Sequence, residues 1–326
     1  MWLTLAILAY FSLALSSFLD KYILGGPLPS PKIYTFYTGF LSFSAMLIVP
    51  LGIFLSLGPL PYLQRIFPEG LGILFIPDIS LILLSLGTGM IFLFALFVYF
   101  KGIYDFEISR IVPAVGGMAP IFTLILVYFF TFIPLELGFQ KRILSPDEYL
   151  ALAFLVMGSI ILTLHRKKIA TFESLKASMI ASFLFSLDLI LTKLVYTYLP
   201  FWTGFVWIRL GEFLGAIFFL FSFEVRTNIF RHEKGFGRKI IPLFVFTKGA
   251  GATGRVLQSG AIYLSPLVFL PIINALSGIQ YVFLIILSSL FFLKFPKILK
   301  EEISKKVLVQ KTLAVWLIVA GLFLLF

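Results

Sequence analysis

Two cations of the second half share one helical face. Lys248, Ala252, Arg255 and Ser259 follow one another at spacings of four, three and four residues, within a long apolar run. A helix with this spacing would carry Lys248 and Arg255 on one stripe. Such a stripe could bind a carboxylate or phosphate on a small solute. Permanent pairing of both cations with acids is the alternative, and the sequence leaves both open.

A carboxylate, Asp188, lies near the middle of another apolar run. Because a buried carboxylate can take up and release a proton, Asp188 is a candidate for coupling proton flow to solute movement. A fixed ion pair with Lys248, Arg255 or Arg209 is the alternative. Arg209 and Glu212 stand three residues apart on one helix, so they are predicted to form an internal ion pair.

Neutral polar residues of two further runs complete the candidate site. Asn274 and Tyr281 share one helical stripe with Gln280 beside it, and Tyr10 and Ser17 lie on one face of the first run. These groups could hydrogen-bond a polar solute, or they could simply bond or pack against neighbouring helices. The predicted substrate-binding residues are therefore Lys248, Arg255, Asn274, Gln280, Tyr281, Tyr10 and Ser17.

These residues require a membrane-embedded framework. The chain has 326 residues, of which 60% are hydrophobic and 13% charged, with a mean hydropathy of +1.06. This composition lies outside that of soluble domains, and each span needs roughly 20 apolar residues. The sequence predicts an all-α membrane protein with ten transmembrane helices at 1–19, 33–57, 79–100, 108–131, 149–164, 178–198, 201–223, 240–263, 266–291 and 311–326.

Several other classes of protein are disfavoured. The chain has no cysteine, and its two histidines, His165 and His232, fall in polar loops, so we expect no metal site and no cofactor. No phosphate-binding glycine loop or nucleophile elbow indicates a catalytic centre, and a membrane-embedded lipid-modifying enzyme is the weaker alternative. The net charge of +11 favours anionic lipid headgroups over nucleic acid as its partner.

The two halves of the chain repeat one another. Laying residue 9 onto residue 181 pairs Lys21 with Lys193 and Gly39 with Gly211. Slightly smaller shifts pair Gly87 with Gly249, Gly89 with Gly251, and Gly158 with Gly321. The sequence thus predicts two five-helix repeats, 1–168 and 169–326. Because five is odd, the second repeat must be inverted, with a central cavity and a solute site between the repeats.

The basic residues are distributed unevenly between the predicted loops. Of the 26 Lys and Arg residues, 19 fall in loops that follow odd-numbered spans. Only Arg65, Lys141 and Arg142 fall in the loops on the other side, and four lie within spans. The positive-inside rule therefore predicts both termini outside the cell.

The pattern resembles the drug/metabolite transporter superfamily, in particular its EamA-like ten-helix members, over essentially the whole chain. The stretches that carry the resemblance are Asp20-Lys21, Thr192-Lys193, Ile108 to Pro120 leading into Ile121-Phe122-Thr123-Leu124, Met157-Gly158-Ser159 and Ala320-Gly321-Leu322. The chain departs from the family where helices four and nine usually end in glutamate, and Tyr281 stands where the repeat of Pro120 is expected.

The resemblance implies a secondary carrier in the plasma membrane that moves small metabolites by alternating access, commonly as an exporter of amino acids or related compounds. It also implies that both termini lie in the cytoplasm, against the charge distribution. We expect an anionic or zwitterionic solute, because the apolar runs hold more cations than acids. Proton-coupled efflux of cationic or amphipathic drugs, with Asp188 carrying the proton, is the alternative function.

Overall fold

The computed structural model describes residues 1–24, 30–51, 76–106, 108–132, 144–163, 172–231, 240–292 and 305–324. Every regular element within these ranges is helical. In the first half these elements are α1 (Trp2–Leu24), α2 (Pro31–Leu41), α3 (Ile79–Asp105), α4 (Ile108–Phe132) and α5 (Pro146–Thr163). In the second half they are α6 (Phe172–Tyr198), α7 (Phe201–Phe218), α8 (Phe223–Arg231), α9 (Ile241–Leu264), α10 (Leu270–Ala275), α11 (Ser277–Phe292) and α12 (Lys305–Phe323).

Local signals define where two of these helices begin. At α5, the backbone N–H of Ser145 donates to the carboxylate of Glu148 at 2.7 Å, and the N–H of Glu148 donates back to Ser145 Oγ at 3.3 Å. This reciprocal pair is a capping box, which satisfies two of the unpaired donors at a helix start. At α2, Ser30 Oγ accepts from the N–H of Ile33 and Pro31 occupies the first turn.

The helices identify an α-helical, multi-pass membrane protein. Within the described ranges, six helical stretches are long and apolar enough to cross a membrane: Trp2–Leu24, Pro31–Leu51, Ile79–Asp105, Phe172–Tyr198, Phe201–Phe221 and Leu267–Leu284. Large apolar side chains such as Leu83, Phe129 and Trp316 lie exposed on the outer surface. Such a surface is stable in lipid and not in water.

Three predicted spans need correction. The first span does not end at residue 19, because α1 continues to Leu24 and so includes Asp20. The predicted span 33–57 changes at Ser42–Leu47 into a 3₁₀-helix, and its last residues, 52–57, lie outside the described part of the chain. The predicted span 266–291 is interrupted at Leu276, between α10 and α11. Hydropathy averaged over a span cannot locate such breaks, because the segments remain apolar overall even though polar residues such as Ser42, Asn274 and Ser277 lie at the breaks.

The most extensive helix contacts join the two halves of the chain. Helix α1 packs against α9 and α11, whereas α6 packs against α3 and α4. Helix α3 also packs along α7, and α5 packs along α12. The two halves are therefore packed against each other through several pairs of long helices.

Glycines allow α3 and α7 to touch through their backbones. A Cβ atom added to Gly89 would lie 2.0 Å from the carbonyl oxygen of Ile208, and one added to Gly211 would lie 2.2 Å from that of Leu86. Small residues in membrane helices permit this close approach, which increases van der Waals packing where lipid provides no hydrophobic driving force.

We expect Gly89→Ala to lower the unfolding temperature of the purified protein, because α3 and α7 would have to separate. The cost should be about 1–3 kcal/mol, as for other overpacked sites. The matched control is Gly87→Ala, since a Cβ atom at Gly87 meets nothing within 4 Å. Thermal unfolding in detergent compares the two variants, and equal unfolding temperatures would contradict the close contact.

Two buried apolar clusters lie at opposite ends of α1. The larger cluster joins the N-terminal half of α1, through Leu3, to the C-terminal parts of α6 and α9, through Val195 and Ile262. The second cluster joins the C-terminal end of α1, through Ile23, to the start of α2 and of α9, where Phe244 lies. The space between them holds the polar residues described next.

Candidate functional site

A cavity of about 550 Å³ lies between the helices of the two halves. Helices α1, α3, α4, α6, α7, α9, α10 and α11 line it, together with the end of α2 and its 3₁₀ continuation. Nine of the ten residues singled out in the sequence line this cavity: Tyr10, Ser17, Asp188, Arg209, Glu212, Lys248, Arg255, Asn274 and Gln280. The side chain of the tenth, Tyr281, lies outside the described part of the structure.

Arg255 is paired with Asp188. Its Nη2 lies 3.2 Å from Asp188 Oδ2, and its Nη1 donates to Gln258 Oε1 at 2.9 Å. The guanidinium also lies over the ring of Phe92, with Cζ 3.6 Å from the ring centroid. The sequence left Lys248, Arg255 and Arg209 open as partners of Asp188, and in the structure Arg255 is the one that contacts it. This pair joins α6 to α9.

Lys248 is enclosed by an acid and aromatic rings. Its Nζ lies 2.9 Å from Asp20 Oδ1 and 4.1 Å and 5.0 Å from the ring centroids of Tyr34 and Phe100. The hydroxyl of Tyr34 donates to the same carboxylate oxygen of Asp20. Lys248 and Asp20 are 228 residues apart, so the pair joins the halves of the chain.

Asp20 follows directly after the predicted first span, 1–19, and is not among the predicted site residues. The extension of α1 to Leu24 is what brings it into the helix. A signal in the sequence could have indicated this pair. Asp20 lies within one helical turn of the end of an apolar run, and Lys248 is a cation inside another apolar run that needs a counter-charge.

Arg209 and Glu212 form the pair that their spacing predicts. Arg209 Nη1 lies 2.6 Å from Glu212 Oε1, and Ser42 donates its hydroxyl to Glu212 Oε2 at 2.7 Å. The guanidinium of Arg209 faces two rings, with Cζ 4.9 Å from the centroid of Phe205 and 5.6 Å from that of Phe92. The pair also lines the cavity, so formation of an internal ion pair is compatible with a position at the cavity surface.

The neutral polar residues bond across helices. Asn274 Nδ2 donates to Thr123 Oγ1 at 2.7 Å, and Gln280 Nε2 donates to Ser17 Oγ at 2.9 Å. Tyr10 donates its hydroxyl to the backbone oxygen of Ile273 at 2.7 Å. The sequence left such bonds between helices open as a structural role for these residues. Asn274, Gln280, Ser17 and Tyr10 also line the cavity.

The charges that line the cavity are balanced. Among the described lining residues, the cations Arg209, Lys248 and Arg255 are matched by Asp20, Asp188 and Glu212. The expected excess of cations is therefore not found at this site. The count from the sequence covered all charges within the predicted spans. Of those, Lys193 does not line the cavity, whereas Asp20, which lay outside the predicted spans, does. Within the described residues no three His, Cys, Asp or Glu side chains gather to hold a metal ion.

Comparison with known proteins establishes the fold and not the activity. No protein-family model matches the chain, and no curated protein matches it. The crystal structure of a protein with 16% sequence identity superposes with a TM-score of 0.60, covering 98% of this chain and 95% of that one. The chain therefore shares its helical fold with a protein of known structure over nearly its full length.

We expect Asp20→Asn to destabilise the protein strongly, because it leaves the charge of Lys248 buried without a counter-charge. Removing one member of a buried pair costs about 3–5 kcal/mol. Adding Lys248→Met to Asp20→Asn should restore much of the stability, since the charge is then gone as well. Thermal unfolding of the purified variants measures both effects.

The matched control for Asp20→Asn is Glu224→Gln. Glu224 Oε2 lies 3.6 Å from Lys32 Nζ, and both side chains are roughly half exposed. Because solvent screens this pair, its loss should cost less than about 1 kcal/mol. Similar losses of stability in the Asp20 and Glu224 variants would contradict the burial of the Lys248 pair.

Proposed function

We propose that the protein is a secondary carrier that moves a small zwitterionic or anionic metabolite, such as an amino acid, across the membrane by alternating access. The observation that carries this proposal is the cavity of about 550 Å³ between the two halves, lined by three ion pairs. Its size lies in the range of small-molecule sites. Charged groups at membrane depth are costly and generally mark the path of a solute or ion.

The wider proposal is a membrane domain of ten spans in two inverted five-helix repeats, as in EamA-like drug/metabolite transporters. The spans would be α1 to α7, α9, α10 with α11, and α12. The helix contacts support it. The pairing of α1 with α9 and α11 becomes the pairing of α6 with α3 and α4 when the halves are exchanged.

The glycines that repeat in the sequence also support this arrangement. A Cβ atom at Gly158 would lie 2.9 Å from the backbone oxygen of Ala314, and one at Gly321 would lie 3.0 Å from that of Ala151. Each glycine of α5 and α12 thus meets the other helix at the equivalent position. Such reciprocity is expected from two repeats related by a pseudo-two-fold axis.

Irregular helices at the cavity favour a carrier over a static assembly subunit. Ser42 and Ser44 of the 3₁₀ segment line it, as do Asn274 and Ser277 on either side of the break at Leu276. Interrupted helices in membrane proteins occur where they are buried or line a cavity, and in transporters they commonly form the solute site. A 3₁₀ stretch within a helix commonly marks a hinge.

The balanced charges favour a zwitterion over an anion. A solute with equal positive and negative charge adds no net charge to three neutral ion pairs, whereas a lone anion would leave one uncompensated charge in a medium of low dielectric constant. The apolar part of the lining, including Leu13, Ile48 and Leu96, suits an apolar side chain on that solute.

We expect purified protein in liposomes to take up at least one zwitterionic or anionic metabolite from a panel of radiolabelled solutes. Arg255→Ala should lower the rate at least about tenfold, because a charge-assisted hydrogen bond contributes about 1.5–3 kcal/mol. Lys32→Ala, on the exposed start of α2, is the control and should leave uptake unchanged.

The same assay separates the two candidate functions. Anion or zwitterion uptake by Arg255→Ala at the wild-type rate would contradict the proposed solute class. Efflux of cationic drugs that stops in Asp188→Asn would establish the drug-exporter alternative instead. Comparing uptake with and without an imposed pH gradient identifies whether protons are the coupling ion.

The orientation that we propose has both termini outside the cell, with the protein in the plasma membrane and its basic loops against anionic lipid on the cytoplasmic side. The loop that contains α8 is one of these basic segments. In α8, Arg226 is exposed and Val225 is buried against the bundle.

Cysteine labelling tests this orientation directly, because the chain has no native cysteine. Thr197, at the end of α6, and Arg226, in α8, are both exposed and lie at opposite ends of α7. In intact cells an impermeant maleimide should label the Thr197→Cys variant and not the Arg226→Cys variant. The reverse pattern would place both termini in the cytoplasm, and the resemblance to EamA-like proteins would then predict the orientation correctly.

A further inference from the structure

Two arginines of the cavity lie over one aromatic ring. The Cζ atoms of Arg255 and Arg209 lie 3.6 Å and 5.6 Å from the ring centroid of Phe92. Arg209 comes from α7 and Arg255 from α9, so Phe92 of α3 joins guanidinium groups of two different helices. Both arginines and Phe92 line the cavity.

Each of these arginines has a buried donor without an acceptor. Arg255 uses its two Nη atoms on Asp188 and Gln258, and Arg209 pairs its Nη1 with Glu212. Within the described part of the chain, no acceptor bonds the buried Nε–H of either residue. A buried donor without a partner is costly, and both residues line the cavity, so a solute acceptor that reaches these groups after a small rotation of the side chains would satisfy them.

Lys248 differs from the two arginines. Its ammonium is already held by the carboxylate of Asp20 and faces the rings of Tyr34, Phe100 and Phe244. This arrangement resembles the aromatic cages that bind cationic ligands, with the protein's own lysine as the cation. The ammonium of Lys248 therefore already has partners within the protein, although Lys248 lies on the same helical stripe as Arg255.

We propose that Arg209 and Arg255, stacked on Phe92, form the subsite for the carboxylate of the solute, and that Lys248 does not take part in it. This rests on the proposed carrier function and assigns the chemistry at one end of its site. A carboxylate has two oxygens that can accept one Nε–H each, while the existing ion pairs remain in place. The acids of those pairs, Asp188 and Glu212, leave negative charge close by for the ammonium of a zwitterion.

Arginine is required at this subsite for a geometric reason. The planar guanidinium stacks on an aromatic face and presents its N–H groups along its edge, so it can hold Phe92, an acid and the solute at once. The ammonium of lysine has neither the plane nor the fixed fork of donors. Replacement of Arg209 or Arg255 by lysine should therefore keep the charge and lose the recognition.

The experiment compares binding of four probes that share one apolar side chain: leucine, leucinamide, 4-methylpentanoate and isopentylamine. Binding to the full-length protein in lipid nanodiscs is measured by titration calorimetry and thermal stabilisation. The wild type should bind leucine or 4-methylpentanoate at least about tenfold more tightly than leucinamide and isopentylamine, because these two lack the carboxylate. Arg209→Lys and Arg255→Lys should each remove this preference.

Three double variants guard against misfolding, since each removes one ion pair without changing the net charge. They are Arg255→Gln with Asp188→Asn, Arg209→Gln with Glu212→Gln, and Lys248→Met with Asp20→Asn. The first two should abolish the preference for a carboxylate. The third should keep it within about twofold, since Lys248 lies outside the subsite.

Each outcome decides the proposal. It is overturned if the wild type shows no preference for the carboxylate probes, if inorganic phosphate binds more tightly than they do, or if the Lys248 double variant alone loses the preference. Failure of the carrier function is distinguishable from failure of the subsite. Carboxylate-selective binding without uptake into liposomes would reject the carrier function and support the carboxylate subsite. Equal uptake of leucine and leucinamide would support the carrier function and reject the carboxylate subsite.

Discussion

The structure depends on one constraint, which is that a charge placed inside a membrane protein must find its counter-charge within the bundle. Water is absent from the hydrocarbon, so an unpaired charge there is costly. Each of the three lining cations satisfies this requirement locally, at nitrogen–oxygen distances of 2.6–3.2 Å. Packing around these pairs follows from the requirement: aromatic rings cover the cations, and small residues let the helices approach closely enough for the pairs to form.

The three pairs differ in what they connect. Arg209 and Glu212 lie on one helix, and Arg255 and Asp188 join two helices of the second half. Lys248 and Asp20 alone among them join the halves, by linking α9 to α1. Gln280 of α11 bonds Ser17 of the same helix α1 nearby. In a carrier whose halves move against each other, the Lys248–Asp20 ion pair must either stay intact during the motion or break and re-form with other partners. The pair lies between α1 and α9, which pack along one another, and this position favours an ion pair that stays intact.

The membrane class, most of the helices and the lining of the cavity could be predicted from the sequence, because apolar runs and the charges inside them are local features. Nine of the ten residues singled out line one cavity for this reason. The pairing of Lys248 is not local, and the sequence therefore missed Asp20, which is 228 residues away from it. The break at Leu276 was missed because the mean hydropathy stays high across it.

The distribution of charge separates framework from recognition. Of the six charged residues that line the cavity in the described structure, Asp20 alone comes from the first half, and it holds Lys248 in place. The first half otherwise offers rings and neutral groups, such as Phe92, Tyr10 and Ser17. The two halves of the chain thus contribute differently: the first supplies surfaces that orient and cover the charges, and the second carries most of the charges. In the proposed carrier, a change of solute during evolution would therefore require substitutions mainly in α6, α7 and α9, while the packing of α1 and α3 stays the same.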